Sequence, residues 1–272
     1  NTSTWIPMQT VMNNWFVRYK ARAMAIVNEG GAIAGIVVPL LLAWAIGGTD
    51  PDIYERFGWR TSAFFIGILC IALALPLSRL VHNRPEDLGL RPDGDPAAPD
   101  TSSQVYPTDS KGESVGYTWQ EAIRSKSFWL LSFGHGTSVI SVAALAVHIG
   151  LLMDDRGFPL QTIGVVLAVN TAVSCVFIPI SGYLGDRLPM RRVAFGFAVL
   201  QSLSVVMLIP AHTTGMLYVF AALYGAGHGG RGPMMPALRG AYFGRRAFAT
   251  ITGMSILPVS YTHLTLPTNR EV

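Results

Sequence analysis

The chain has 272 residues, half of them hydrophobic and only 13% charged, with a formal net charge of +4. Soluble domains carry about 25% charged residues, so this composition excludes an ordinary water-soluble protein and indicates an all-α polytopic membrane protein. The basic excess then belongs to loops rather than to a nucleic-acid surface, and Cys70 and Cys175, in separate apolar stretches, suggest neither a disulfide framework nor a metal site.

In chain order, residues 1–16 read as the end of a membrane helix whose start lies before Asn1, followed by a basic loop with Arg18, Lys20 and Arg22. Residues 23–46 form an apolar run containing Gly30, Gly31, Ala32, Ala34 and Gly35, small residues that let membrane helices pack closely. A polar turn with Asp50, Asp52 and Glu55 leads to Gly58-Trp59-Arg60, where Trp59 is placed as an interfacial anchor, and a second span covers about 60–81. From His82 to Ser127 the composition turns to Pro, Asp and Ser, which cannot bury enough apolar surface to fold alone, so residues 82–127 are predicted to be a linker. At its end Thr118-Trp119-Gln120-Glu121 has the spacing of a capping box and predicts a short amphipathic helix along the membrane interface. Further spans are predicted at 128–153, 160–184, 193–210 and 215–240, with another starting near 247.

With loops alternating sides, fifteen basic residues fall on one face, among them Arg18, Arg187, Arg191, Arg192, Arg239 and Arg245, against Arg56, Arg60 and Arg156 on the other. Positive charge marks the cytoplasmic side, so the loops at 17–22, 82–127, 185–192 and 241–246 are predicted to be cytoplasmic. An internal echo supports a duplicated chain. Trp15-Phe16-Val17-Arg18-Tyr19-Lys20 and Tyr242-Phe243-Gly244-Arg245-Arg246 both set an aromatic pair before a basic cluster and a small-residue helix start. Two unrelated helix ends with aromatic and basic residues would show the same pattern.

The most distinctive loop is Gly182-Tyr183-Leu184-Gly185-Asp186-Arg187-Leu188-Pro189-Met190-Arg191-Arg192. Through Gly182, Asp186, Arg187 and the arginine pair it resembles the Gly-x-x-x-Asp-Arg-x-Gly-Arg-Arg loop of the major facilitator superfamily, with Pro189 and Met190 where that family has Gly and Arg. Together with Gly58-Trp59-Arg60 and the run from Arg84-Pro85-Glu86-Asp87 to Gly94, it is similar to the monocarboxylate and oxalate/formate antiporter branch. The resemblance covers residues 1 to about 259. It implies an incomplete major facilitator fold of two six-helix bundles, both truncated: residues 1–81 from the end of the fourth helix through the sixth, and residues 128–259 from the seventh to the start of the eleventh. Residues 260–272 back-translate to a string resembling a transposase-type sequencing adapter and are read as translated adapter, a natural polar tail being the alternative.

Polar residues inside apolar spans are costly and mark pathways. Arg231, in Gly227-His228-Gly229-Gly230-Arg231-Gly232-Pro233, lies about ten residues before the basic loop, roughly 15 Å deep, in a stretch loosened by glycines and Pro233. In the resembled family the tenth helix lines the central cavity, which makes Arg231 the candidate for a substrate carboxylate; the alternative is an arginine paired inside the fold. His135 and His228 are candidates for substrate binding or for a coupled proton, and equally for packed, hydrogen-bonded histidines. Glu29 is a candidate proton site or a structural ion pair, and Asn170 a substrate ligand or an interhelical bond. The eighth helix lacks the arginine that relatives in that branch often carry there. The leading expectation is therefore a monomeric secondary carrier of a small organic anion in a bacterial inner membrane, coupled to a proton or counter-anion. Gly182, Asp186, Arg187, Arg191 and Arg192 would form its cytoplasmic gating loop. No cofactor, metal or nucleophile and base arrangement is expected, and an enzyme is disfavoured. A carrier of a neutral solute or drug, with Arg231 structural, and a non-transporting membrane sensor are the alternatives.

Overall fold

The computed structural model describes residues 2–46, 58–94 and 116–264. The turn with Asp50, Asp52 and Glu55, the linker from 95 to 115 and residues 265–272 lie outside them. The described residues form α1 (Thr2–Trp15), α2 (Lys20–Ile46), α3 (Gly58–Leu80), the short α4 (Trp119–Arg124), α5 (Lys126–Asp155), α6 (Leu160–Arg187), α7 (Met190–Leu208), α8 (Thr214–Phe243) and α9 (Phe248–Leu264). No strand occurs among them beyond an isolated bridge between Gly116 and Gly244.

Five helices, α2, α3, α5, α6 and α7, are long and apolar enough to cross a membrane. Their apolar side chains face outward, as hydrocarbon-facing helices require: Phe64, Phe65, Leu130 and Phe195 are all more than half exposed. The predicted span at 215–240 is α8, whose 30 residues reach about 45 Å at 1.5 Å per residue. It is the most buried helix, and its polar and small residues keep it below the hydropathy of the other spans.

Glycines explain how α8 comes to the centre. At Gly225 and Gly229, four residues apart on one face, an ideal Cβ would stand 2.5 Å from the carbonyl oxygens of Asn170 and Ser174, so only glycine lets α8 lie against α6. Gly227 and Gly230 do the same on the next face, against Gln201 and Phe197 of α7. Residue numbers rise together in the first seam and oppose each other in the second, so α8 runs parallel to α6 and antiparallel to α7. A third seam joins α2 to α6, where Cβ atoms at Gly182 and Gly185 would meet those of Ala25 and Ala21 at 2.7 and 2.8 Å.

Four sequence expectations change in detail. The charged loop at 185–192 is almost entirely helical, since α6 runs through Arg187 and α7 begins at Met190, leaving only Leu188 and Pro189 between them. The loop at 17–22 is likewise cut short, because α2 begins at Lys20. Arg239, counted above with the loop charges, is 3% exposed inside α8. The start of the linker is ordered: Pro85–Leu88 and Pro92–Gly94 form 3-10 turns, the second docking on the α1–α2 junction through Asp93 and the first reaching Arg245 through Glu86. The capping box stands as expected, with the Thr118 N–H donating to Glu121 Oε2 at 2.8 Å and the Glu121 N–H to Thr118 Oγ1 at 3.3 Å.

Candidate functional site

α8 carries the principal polar cluster inside the apolar body. Arg231 is 5% exposed; its Nε donates to Gln201 Oε1 of α7 at 3.0 Å, and its Nη1 has no hydrogen-bond partner among the described residues. Gln201 Oε1 also accepts from Ser138 Oγ of α5 at 3.2 Å, so one amide ties α5, α7 and α8 together. These three residues border a cavity of about 540 Å³ between α5, α7 and α8, lined further by apolar and hydroxyl side chains such as Leu131, Thr137, Ser141 and Ser202.

His135 lies on α5 next to the cavity-lining Gly134, and its Nδ1 is buried without a partner among the described residues. His228 stacks on Tyr224, ring centroids 6.0 Å apart and nearly parallel, and faces the charge of Arg231. Asn170 does not join this group. It lies in the α6–α8 seam, where Ser174 of the same helix approaches Asn170 Oδ1 with its Oγ at 3.5 Å and itself makes the interhelical bond, donating to the Gly225 carbonyl at 3.0 Å. Glu29 also lies apart, beside the Cys175 thiol where α2 packs on α6. Gln201 and Arg239 were not singled out in the sequence. Arg239 falls eight residues after Arg231 on the same helix, a spacing that would have placed both on neighbouring faces.

A second polar cluster closes the end of the bundle that collects the basic residues. α2 begins there, and its first backbone N–H groups have no helical partner. Asp186, at the end of α6, supplies one: its carboxylate, 3% exposed, accepts from the Ala21 N–H at 2.9 Å and the Arg22 N–H at 3.4 Å, with Arg22 Nε at 3.2 Å. Gly182 and Gly185 bring the two backbones near enough for that reach. A second carboxylate caps the same junction from the linker, as Asp93 accepts from the N–H groups of Val17, Arg18 and Tyr19 at 2.9 to 3.4 Å. Asp93 takes a left-handed backbone, φ 61°, to present its side chain, a conformation that Asp tolerates better than most residues. Glu86 forms a two-pronged pair with Arg245, at 3.0 and 3.1 Å. Burial pulls the Glu86 carboxyl upward, but the Arg245 bond and the charges of Arg245 and Arg84 outweigh it and hold it below the ordinary carboxylate value.

Asn13, two residues before the first aromatic-basic repeat, donates from Nδ2 to the Gly244 carbonyl of the second at 3.2 Å. Arg187 lies over the Tyr183 ring at 4.3 Å and Arg22 over the same ring at 5.0 Å. Arg191 borders the cavity, and Arg192 is exposed at the start of α7. At the opposite end Arg156 donates to the carbonyls of Leu208 and Ala211, closing the last turn of α7.

A bundle of long apolar helices around one glycine-rich polar helix is the build of a multi-pass membrane protein. The Major Facilitator Superfamily model matches residues 2–257, and the chain belongs to that superfamily of membrane transporters. It is 24% identical over 235 residues to "MFS transporter asaE" of Aspergillus flavus, covering 85% of this chain and 46% of that protein. It is 22% identical over 284 residues to "Riboflavin transporter MCH5" of Saccharomyces cerevisiae, covering 92% and 49%. Over 89 residues it is 26% identical to a "Probable hexose phosphate transport protein" of Chlamydia pneumoniae, covering 32% and 18%. The chain thus spans about half the length of the first two relatives. Members of this superfamily are carriers rather than enzymes. None of these three relatives is named for monocarboxylate or oxalate/formate transport.

Proposed function

We propose that the whole protein is a secondary carrier that moves a small organic anion across a bacterial inner membrane by alternating access, with Arg231 as the anion ligand. One observation carries the reading: a guanidinium 5% exposed, inside the membrane body and beside a cavity, with Nη1 unpartnered among the described residues. A buried charge left without a counter-ion is expensive, and an anionic substrate supplies one. The hexose phosphate named for one relative is itself an anion.

In this reading residues 1–81 and 128–259 belong to the two bundles, joined by the linker at 82–127, and the Asp186 contacts with Ala21 and Arg22 hold their cytoplasmic ends together. His135 and His228 are the proton-carrying candidates nearest Arg231, with Glu29 more remote; Asn170 serves packing. The neutral-solute reading rests on the Arg231 to Gln201 bond, which gives the arginine a structural partner, and on the riboflavin named for another relative.

The test is uptake by the whole protein in liposomes, comparing small carboxylates and phosphate esters with neutral solutes including riboflavin. Arg231→Gln, which keeps a side chain able to bond Gln201, is expected to cut anion uptake by about 100-fold, as removal of a charge-assisted pair does. Uptake of neutral solutes only, or anion uptake unchanged in Arg231→Gln, sinks the anion reading.

A further inference from the structure

The hydroxyl groups that line the cavity beside Arg231 have their protons already committed. A hydroxyl carries one proton and two lone pairs. Thr137 Oγ1 donates to the Phe133 carbonyl at 3.1 Å, Ser141 Oγ to the Thr137 carbonyl at 3.0 Å and Ser202 Oγ to the Ala198 carbonyl at 2.9 Å. Each bonds back one turn along its own helix, a local bond that Ser and Thr make readily. All three residues line the cavity and all three are exposed. What they present to it is therefore acceptor oxygen.

The unanswered donors of the same cavity belong to Arg231 and Gln201. Arg231 Nε and Ser138 Oγ both donate to Gln201 Oε1, at 3.0 and 3.2 Å. A guanidinium can only donate, so the amide oxygen is the atom that faces it and the amide nitrogen is left over. That nitrogen, Gln201 Nε2, is buried without a partner among the described residues, as is Arg231 Nη1, and the two residues are 4% and 5% exposed. No Asp or Glu is among the described residues that line the cavity. A cation and an amide short of acceptors thus share one space with a set of hydroxyl oxygens short of donors.

A ligand that answers both halves has a negatively charged group rich in acceptors and a body rich in O–H donors. An aliphatic carboxylate answers only the first, and dries the hydroxyl oxygens without replacing their hydrogen bonds. The cavity, about 540 Å³, falls among pockets of about 300–1,000 Å³ that enclose ligands of many atoms. Thr137 and Ser141 stand about 6 Å apart along α5, so they reach different hydroxyls of one chain. We propose that the cavity between α5, α7 and α8 binds a polyhydroxylated anion, a sugar acid or a sugar phosphate. Arg231 and Gln201 hold its charged group, and its hydroxyls donate to Thr137, Ser141 and Ser202. The proposal rests on the anion-carrier reading and names the substrate class.

The test is equilibrium binding to the whole purified protein, with a panel of six-carbon sugar acids and hexose phosphates set against hexanoate and the uncharged six-carbon polyols. The wild type is expected to bind the best polyhydroxylated anion at least 10-fold more tightly than hexanoate and than any polyol, and whether that anion is a carboxylate or a phosphate identifies the charged group. Thr137→Val, which keeps the shape and removes the oxygen, is expected to lower the ratio of that affinity to the affinity for hexanoate by about 5-fold, the effect of one hydrogen bond, as are Ser141→Ala and Ser202→Ala. Thr137→Ser retains the oxygen and is expected to retain the ratio, which separates loss of the acceptor from a folding defect. Hexanoate binding as tightly as every polyhydroxylated anion overturns the proposal, as does a ratio unchanged in all three hydroxyl-deleting variants. In either case the anion reading stands if Arg231→Gln still loses the anions. Polyols binding as tightly as the polyhydroxylated anions, or no anion binding at all, overturns both.

Discussion

Asp186 shows how much one side chain does at the closed end of the bundle. It satisfies two N–H groups that begin α2 and pairs with Arg22, combining an N-cap, a favourable helix-dipole contact and an ion pair. Asp186→Asn keeps an acceptor but removes the charge, and Asp186→Ala removes both. The alanine variant is expected to lower stability by about 1–2 kcal/mol and the asparagine variant by less, read as melting temperature in detergent. Equal melting temperatures for Asp186→Ala and the wild type would show that the cap contributes nothing. The motif around Gly182 and Asp186 was legible from sequence because its residues are contiguous. Its partner was not, since Ala21 and Arg22 are more than 160 positions away and contribute backbone N–H groups, which carry no sequence signature. Asp93 was hidden for the same reason in a stretch that reads as linker.

Among the helices, α8 depends on glycine at particular levels rather than on small residues in general. A side chain at Gly229 would press on the Ser174 carbonyl at 2.5 Å, whereas one at Gly232 would meet its nearest neighbour, Asn28 Oδ1, at 3.4 Å. Gly229→Val should therefore cost about 2 kcal/mol or more through overpacking and a forced separation of α6 from α8, while Gly232→Ala stays within about 0.5 kcal/mol. Chemical unfolding of the two variants checks this, and comparable losses would refute the seam. The glycine-rich sequence announced close packing but not its direction. The same five-glycine stretch serves α6 on one face and α7 on another, and only the assembled helices decide which glycine faces which neighbour.

For the whole molecule, the contact most exposed to solution conditions is Glu86 with Arg245, which joins the segment after α3 to the turn between α8 and α9. The Glu86 carboxyl is held below its ordinary value of 4.5, so the contact contributes fully above that pH and is lost as pH falls through the lower bound value. Glu86 is half exposed, which limits the contribution to about 1 kcal/mol or less. Spin labels on the ordered linker segment and near Arg245 are expected to separate on acidification below the ordinary carboxylate value of 4.5 in the wild type and to show no such acid step in Glu86→Gln. An identical acid step in that variant would assign the titration to another group.

The sequence by itself determined that this is a helical membrane protein, where its helices lie and which ends collect positive charge. Hydropathy, charge and capping are local properties, and a span must be long and apolar wherever it packs. Tertiary structure decided which polar residues face one another. It moved Arg239 from the loops into the interior of α8, left Asn170 in a packing seam, and ordered the first residues of the linker by giving Asp93 the unpaired N–H groups of the turn between α1 and α2. Each of those outcomes joins residues distant in the chain or on different helix faces, and the energies that fix them, the cost of an unpaired charge or an unpaired amide, exist only once the helices are side by side.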